Sequence, residues 1–211
     1  MSLFSISGTH AVGKTTLIQQ LKDQYSDRFQ FHKSNTRDLL SLGLGINENA
    51  SDLGQLAIAT ADVQFVLSTN SKYDYVTDRC ILDTLVYSKD FLNTGRISKN
   101  TYNAIEWMSY FVLARYSHIF VLRPQWALIG DGVRSEDTVW QEEINYQFQC
   151  VVRGWSQFFA DLDINLPSIP SISFLLGSDE EKIKQIIEVI EKKKMDEQVF
   201  ENNQELKHHS V

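Results

Sequence analysis

Along the chain, short apolar stretches alternate with longer segments whose apolar residues recur every three or four positions. Leu3-Phe4-Ser5-Ile6 reads as a buried strand that runs into a glycine-rich turn. Leu17, Ile18 and Leu21 predict a helix over Lys14–Tyr25, and Phe29–His32 reads as a second strand. A helical start at Arg37–Leu42 breaks near Gly43 and Gly45. Leu53, Leu56, Ala57, Val63, Val66 and Leu67 predict a long helix over Asp52–Ser68, capped by Ser51 or Asp52. A third strand, Tyr73–Thr77, leads to Asp78, and helices follow over Leu82–Leu92 and Asn100–Arg115. His118–Leu122 is a fourth strand, stopped by Pro124. Trp140, Ile144, Phe148, Val151, Trp155, Phe158 and Leu162 mark a long amphipathic helix. Ile172–Leu176 is a fifth strand, and Ile183, Ile186, Ile187 and Ile190 place a last packed helix over Glu180–Lys192. Met195–Val211 is polar with little periodicity and reads as a frayed tail or a lone helix. Regular alternation of strands and helices predicts a parallel sheet covered on both faces.

Composition narrows the class. The chain has 211 residues, 43% of them hydrophobic and 22% charged, enough for one domain that needs no disulfide or metal staple. With 20 Lys+Arg against 27 Asp+Glu, the net charge is -7, which argues against a nucleic-acid partner. Cys80 and Cys150 lack metal or redox spacing and read as reduced thiols. Residues 1–7 do not resemble a signal peptide, and no run approaches the roughly 18 apolar residues of a membrane span. The expectation is a cytoplasmic protein with no membrane partner.

Chemistry enters at Gly8-Thr9-His10-Ala11-Val12-Gly13-Lys14-Thr15, which fits GxxxxGK[ST] between a strand and a helix. Gly8 and Gly13 let the backbone turn so that successive N–H groups form an anion nest, to which the helix adds its positive end. Lys14 is expected to reach the β- and γ-phosphates, Thr15 to ligate Mg²⁺, and Thr16 to touch the α-phosphate. His10 reads as a lining side chain. The nucleotide-binding set is therefore Gly8, Thr9, His10, Ala11, Val12, Gly13, Lys14, Thr15 and Thr16.

The chain contains no NKxD motif, and Arg79 stands where a hydrolysing ATPase carries a water-orienting Glu after the strand Asp. A kinase needs no such Glu, because its acceptor is a bound substrate. Asp78 is expected to hold Mg²⁺ or take a proton, and Arg79 to reach the acceptor. Asp83, one helical turn on, faces the same pocket in this reading. Asp131-Gly132-Val133-Arg134-Ser135-Glu136-Asp137 reads as a lid, with Arg134 closing on the transferring phosphate. Arg37, Asp38 and Arg123 complete the candidate acceptor contacts. Catalytic roles thus fall to Lys14, Asp78, Arg79 and Arg134, and metal binding to Thr15 and Asp78.

GTHAVGKTT, VTDRCILDTLVYS and IFVLRPQWALIGDGVRSED together resemble the P-loop kinases related to the nicotinamide-riboside kinase domain of NadR, over roughly residues 3–190. The resemblance implies a three-layer α/β/α P-loop NTPase fold with a five-stranded parallel sheet of order 2-3-1-4-5. It also implies phosphorylation of a small nucleoside or nucleotide by ATP with Mg²⁺. Cys80 and Asn35-Thr36-Arg37 depart from the usual pattern, and these 211 residues hold no adenylyltransferase domain. The expected organisation is a kinase domain over 1–194, with its lid around 124–138, and a polar tail over 195–211. The acceptor is expected to be a nucleoside like nicotinamide riboside. A deoxynucleoside monophosphate kinase is the alternative, and a regulatory ATP- or GTP-binding switch with slow hydrolysis is the rival of another class. The sequence is silent on oligomeric state and leaves a homodimer open.

Overall fold

The computed structural model describes residues 1–34, 36–46, 49–125, 137–161 and 170–208. Its five strands are β1 (Leu3–Gly8), β2 (Gln30–His32), β3 (Tyr75–Asp78), β4 (His118–Leu122) and β5 (Ser171–Leu175). They form one sheet of order β2-β3-β1-β4-β5, the order that the resemblance implied. β1 pairs in parallel with β3 and β4, and β2 in parallel with β3. Every residue of β1 and β4 is buried, which is why both read as near-continuous apolar runs. The polar exceptions in β1 are small: Ser5 Oγ and Ser7 Oγ lie 3.2 Å apart, and Ser7 Oγ lies 3.4 Å from Cys80 Sγ. Both polar positions are thereby satisfied inside the sheet.

The helices are α1 (Lys14–Tyr25), α2 (Thr36–Ser41), α3 (Asp52–Ser68), α4 (Ile81–Asn93), α5 (Lys99–Leu113), α6 (Thr138–Asp161) and α7 (Asp179–His208). Ser51 is the cap of α3: its hydroxyl accepts from Gly54 N–H at 3.1 Å. Ser98 caps α5 in the same way, accepting from Thr101 N–H at 3.2 Å. α4 is buried at every position from Ile81 to Ser88, including its polar residues Asp83, Thr84 and Ser88. A helix apolar all round would need no such polar residues, so their burial marks α4 as the wall of a site.

The chain divides into a unit over 1–174 and a unit over 175–211. In the first, Leu3, Ile81, Leu85, Ile105, Ile119 and Phe148 belong to one core cluster. In the second, Ser178 Oγ accepts from Glu181 N–H at 3.2 Å while Glu181 Oε2 accepts from Ser178 N–H at 2.7 Å, a reciprocal capping box at the start of α7. The polar stretch expected as a separate tail continues α7 to His208. Its Glu, Lys, Gln and Met are good helix formers, so the backbone stays helical where the apolar periodicity ends. No helix among the described residues is long and apolar enough to cross a membrane.

Candidate functional site

β1 ends at Gly8, whose φ of +135° is open to glycine but strained for other residues. A Cβ there would also lie 2.5 Å from the Leu122 carbonyl oxygen of β4, so the loop can leave the sheet only through a glycine. Ala11 at φ 55° and Gly13 at φ 87° turn the loop through the left-handed region. Such turns point successive N–H groups to one side, as anion binding requires. Lys14 is buried and donates from Nζ to the carbonyls of Gly8, at 2.7 Å, and Thr9. Its ammonium thus spans the loop. Thr15 and Thr16 are exposed at the first turn of α1. The loop geometry and its lysine fit a nucleotide's phosphates.

The loop is braced from two helices that sequence reasoning did not connect with it. His10 N–H donates to Tyr87 Oη on α4 at 2.8 Å, and His10 Nδ1 lies 3.2 Å from the same oxygen. On α6, Gln141 Nε2 donates to the His10 carbonyl at 2.8 Å, and the Trp140 ring lies 4.9 Å from the imidazole. Trp140 is itself held by donation from Nε1 to Asp90 Oδ2 at 2.9 Å. His10 therefore acts as the handle by which α4 and α6 grip the phosphate loop.

Arg79 and Asp83, one helical turn apart, form an ion pair. Arg79 Nη1 donates to Asp83 Oδ1 at 3.1 Å. The same oxygen accepts from Gly8 N–H at 3.2 Å, and Oδ2 accepts from Cys80 N–H at 3.3 Å. Asp83 therefore ties Arg79, the start of α4 and Gly8 at the start of the glycine-rich loop together. Arg79 has φ 74°, an uncommon backbone for a non-glycine residue, at the corner between β3 and α4. Burial opposes its charge, but Asp83 first, then Tyr87 and Asp78, outweigh it and raise its pKa. Its guanidinium also lies 5.8 Å from the Tyr87 ring centroid. Asp78 ends β3 opposite Ile6 and is half-buried. Cys80 is buried, and desolvation first, then Asp83, pushes its thiol up to about 12, so it is no nucleophile at neutral pH.

Beside this ion pair opens a pocket with both polar and apolar lining residues. Arg79, Asp83, Thr84 and Tyr87 line one side; Gln55, Ile58 and Asp62 of α3 line it as well, with Ile46 and Phe91 as apolar neighbours. Asp62 Oδ2 accepts from Thr84 Oγ1 at 2.9 Å. Desolvation dominates over this bond and raises the Asp62 carboxyl to about 7. Gln55 Oε1 accepts from Ser88 Oγ at 3.2 Å. Gln55, Ile58 and Asp62 follow helical spacing, and that spacing, which puts a carboxylate and an amide on one face of α3, was the available signal.

The remaining expected residues are placed elsewhere. Asp38 is exposed on α2 and outside the pocket lining. Arg123, just after β4, is also outside that lining, and its guanidinium lies 4.5 Å from the Phe174 ring centroid. The Arg37 backbone belongs to α2, but its side chain, like Arg134 and most of the expected lid, lies outside the described residues. Among the described residues, no group of three or more His, Cys, Asp or Glu gathers as a metal site. The two residues expected to bind a metal stand apart in sequence, Thr15 on the first turn of α1 and Asp78 at the end of β3.

A family model described as an AAA domain matches residues 3–165. The chain belongs to this AAA-domain family. No curated protein matches its sequence. Among solved structures, this AAA-domain protein is similar to NadR in complex with NR, with a TM-score of 0.63 and 19% identity over 89% of this chain and 51% of that one. It is also similar to thymidylate kinase from Candida albicans, with a TM-score of 0.59 and 20% identity over 92% of each chain. A third likeness is deoxyadenosine kinase from M. mycoides, with a TM-score of 0.57 and 16% identity over 92% of this chain and 99% of that one. The chain spans about half the length of the NadR chain. At these identities the likeness establishes the fold, which is the α/β fold of P-loop kinases.

Proposed function

We propose that this protein is a P-loop nucleoside kinase that moves the γ-phosphoryl group of MgATP to a hydroxyl of a small nucleoside-type acceptor, such as nicotinamide riboside. One observation carries the reading: Asp83 and Tyr87 line the pocket and also hold the phosphate loop, through Gly8 N–H and His10 N–H. Donor and acceptor sites that share two residues are adjacent, and phosphoryl transfer is above all a matter of holding the two in line. A nucleotide switch has no need of a second pocket built onto its phosphate loop.

The roles follow from position. Lys14 and the loop N–H groups take the donor phosphates. Thr15 and Asp78 would hold Mg²⁺, which would supply charge neutralisation at the transferring group. Arg79, oriented by Asp83, faces the acceptor. Bond making joins the acceptor oxygen to the γ-phosphorus, bond breaking frees ADP, and the acceptor's proton passes to a carboxylate of the pocket, for which Asp83, beside the phosphate loop, is best placed. Arg134 in the segment 124–138 is the closing arginine. Among the described lining residues, Asp62 and Asp83 outnumber the single cation Arg79, a balance that favours a neutral or cationic nucleoside over a nucleoside monophosphate. The solved complex of NadR with NR supports the choice of probe. The reading is tested by ADP release with MgATP, with and without each nucleoside. Release that requires the nucleoside supports it; equal release in both arms refutes it.

A further inference from the structure

The pocket lining holds two carboxylates in different settings, Asp83 and Asp62. Asp83 is already paired with Arg79 at 3.1 Å. Asp62 differs: its carboxylate has one neutral donor, Thr84 Oγ1, and no cation within ion-pair distance among the described residues. The structure assigns to Asp62 a role in selecting the acceptor: it receives an N–H donor or a positive charge on the acceptor's ring, so that the pocket takes an amide- or amino-bearing nucleoside and rejects one that brings a phosphate. This deepens the kinase reading and rests on it.

Three features support the assignment. First, Asp62 shares its helix face with Gln55, whose Oε1 is occupied by Ser88 Oγ, so Ser88 orients the amide of the same wall. An acidic acceptor and an oriented amide next to Ile58 make a wall suited to a ring with polar edges. Second, a half-buried carboxylate that lacks a cation costs stability, and natural pockets retain such a group when a ligand completes it. Third, its charge is poised. Desolvation raises the carboxyl to about 7, the Thr84 bond lowers it, and the Asp83 and Arg79 charges oppose each other as smaller effects. The other titratable groups facing this region are Tyr87 of α4 and Tyr116 beyond α5, both with pKa values pushed up by burial and so neutral near pH 7.

A ligand that donates an N–H or brings positive charge favours the ionised carboxylate. Its binding then releases a proton near pH 7, and its affinity rises with pH. A phosphate-bearing ligand favours the protonated form, and its affinity falls with pH.

Calorimetric titration of the full chain without ATP tests this, with nicotinamide riboside, cytidine, adenosine and thymidine monophosphate as probes at pH 6, 7 and 8, each in two buffers of different ionisation enthalpy. Wild type is expected to bind at least one of the three nucleosides about tenfold more tightly at pH 8 than at pH 6, releasing roughly half a proton at pH 7. Asp62→Asn is expected to keep the Thr84 contact, flatten that pH profile, and lose about tenfold in affinity at pH 8. The proton count on wild type stands whether or not the variant folds. Absence of binding by all three nucleosides, a flat profile with no proton released, or tighter binding of the monophosphate than of every nucleoside would overturn the assignment. Binding with the expected profile but no phosphoryl transfer on adding MgATP would leave Asp62's role standing and remove the kinase reading instead.

Discussion

The hydroxyl of Tyr87 accepts the backbone N–H of His10 at 2.8 Å, so a residue that lines the proposed acceptor pocket also fixes the phosphate loop. Tyr87→Phe keeps the ring against Arg79 but removes the acceptor from a buried N–H. The loss is expected to be about 1 kcal/mol. For a chain of this size that lowers the thermal midpoint by about 2–4 °C. Differential scanning calorimetry reads it; an unchanged midpoint would mean that the bond contributes nothing.

Gly8 and Gly13 are both glycines of the phosphate loop with positive φ, yet they differ in surroundings. A Cβ at Gly8 would meet the Leu122 carbonyl at 2.5 Å, whereas at Gly13 it would meet nothing within 4 Å. Gly13→Ala is therefore expected to carry only the left-handed backbone strain, about 1–2 kcal/mol. Gly8→Ala adds a backbone collision between β1 and β4 and is expected to cost clearly more. Urea unfolding of the two variants compares them, and equal midpoints would contradict the close-packing argument.

Asp83 serves three donors, Gly8 N–H, Cys80 N–H and Arg79 Nη1. Asp83→Ala strands all three in a largely buried setting, which is expected to cost about 3 kcal/mol or more. Arg79→Ala should behave differently. It leaves both N–H bonds in place, so nucleotide affinity is expected to change by no more than a few fold. Acceptor-dependent turnover should fall by roughly 100-fold. Nucleotide titration beside steady-state turnover separates the two effects; loss of nucleotide binding alone would show that Arg79 serves the donor.

The Asp62 carboxyl also leaves a trace in stability. Its folded pKa of about 7 lies above the unfolded value of 3.8. Between those two values the folded state holds the extra proton, so this group's contribution to stability declines as pH rises from about 4 to about 7 and is lost above that. Asp62→Asn carries no such charge. The variant is expected to gain stability relative to wild type as pH rises from 5 to 8. A constant difference across that range, followed by thermal unfolding, would show that Asp62 is not held in a desolvated site.

Local motifs made the donor side legible. Gly8, Gly13 and Lys14 lie within seven residues after an apolar strand, and each residue type carries its chemistry at that spacing. Arg79 and Asp83 stand one turn apart at a strand end, a spacing visible in the sequence, but the Gly8 N–H that Asp83 also holds lies 75 residues away. The pocket was not legible, because Gln55 and Asp62 come from α3 while Thr84 and Tyr87 come from α4, and only the packing of the two helices brings them together. His10 shows the limit most clearly. Its partners Tyr87 and Gln141 lie 77 and 131 residues away, and only the packing of α4 and α6 brings them to the loop.

Mass spectrometry of the full chain incubated with MgATP tests the central claim most directly. The acceptor panel is nicotinamide riboside, the common nucleosides and the deoxynucleoside monophosphates. The account predicts a singly phosphorylated nucleoside from wild type, no diphosphate from the monophosphates, and loss of product by at least about 100-fold in Lys14→Ala. ADP appearing at the same rate with and without every acceptor, and no phosphorylated product from any of them, would contradict it.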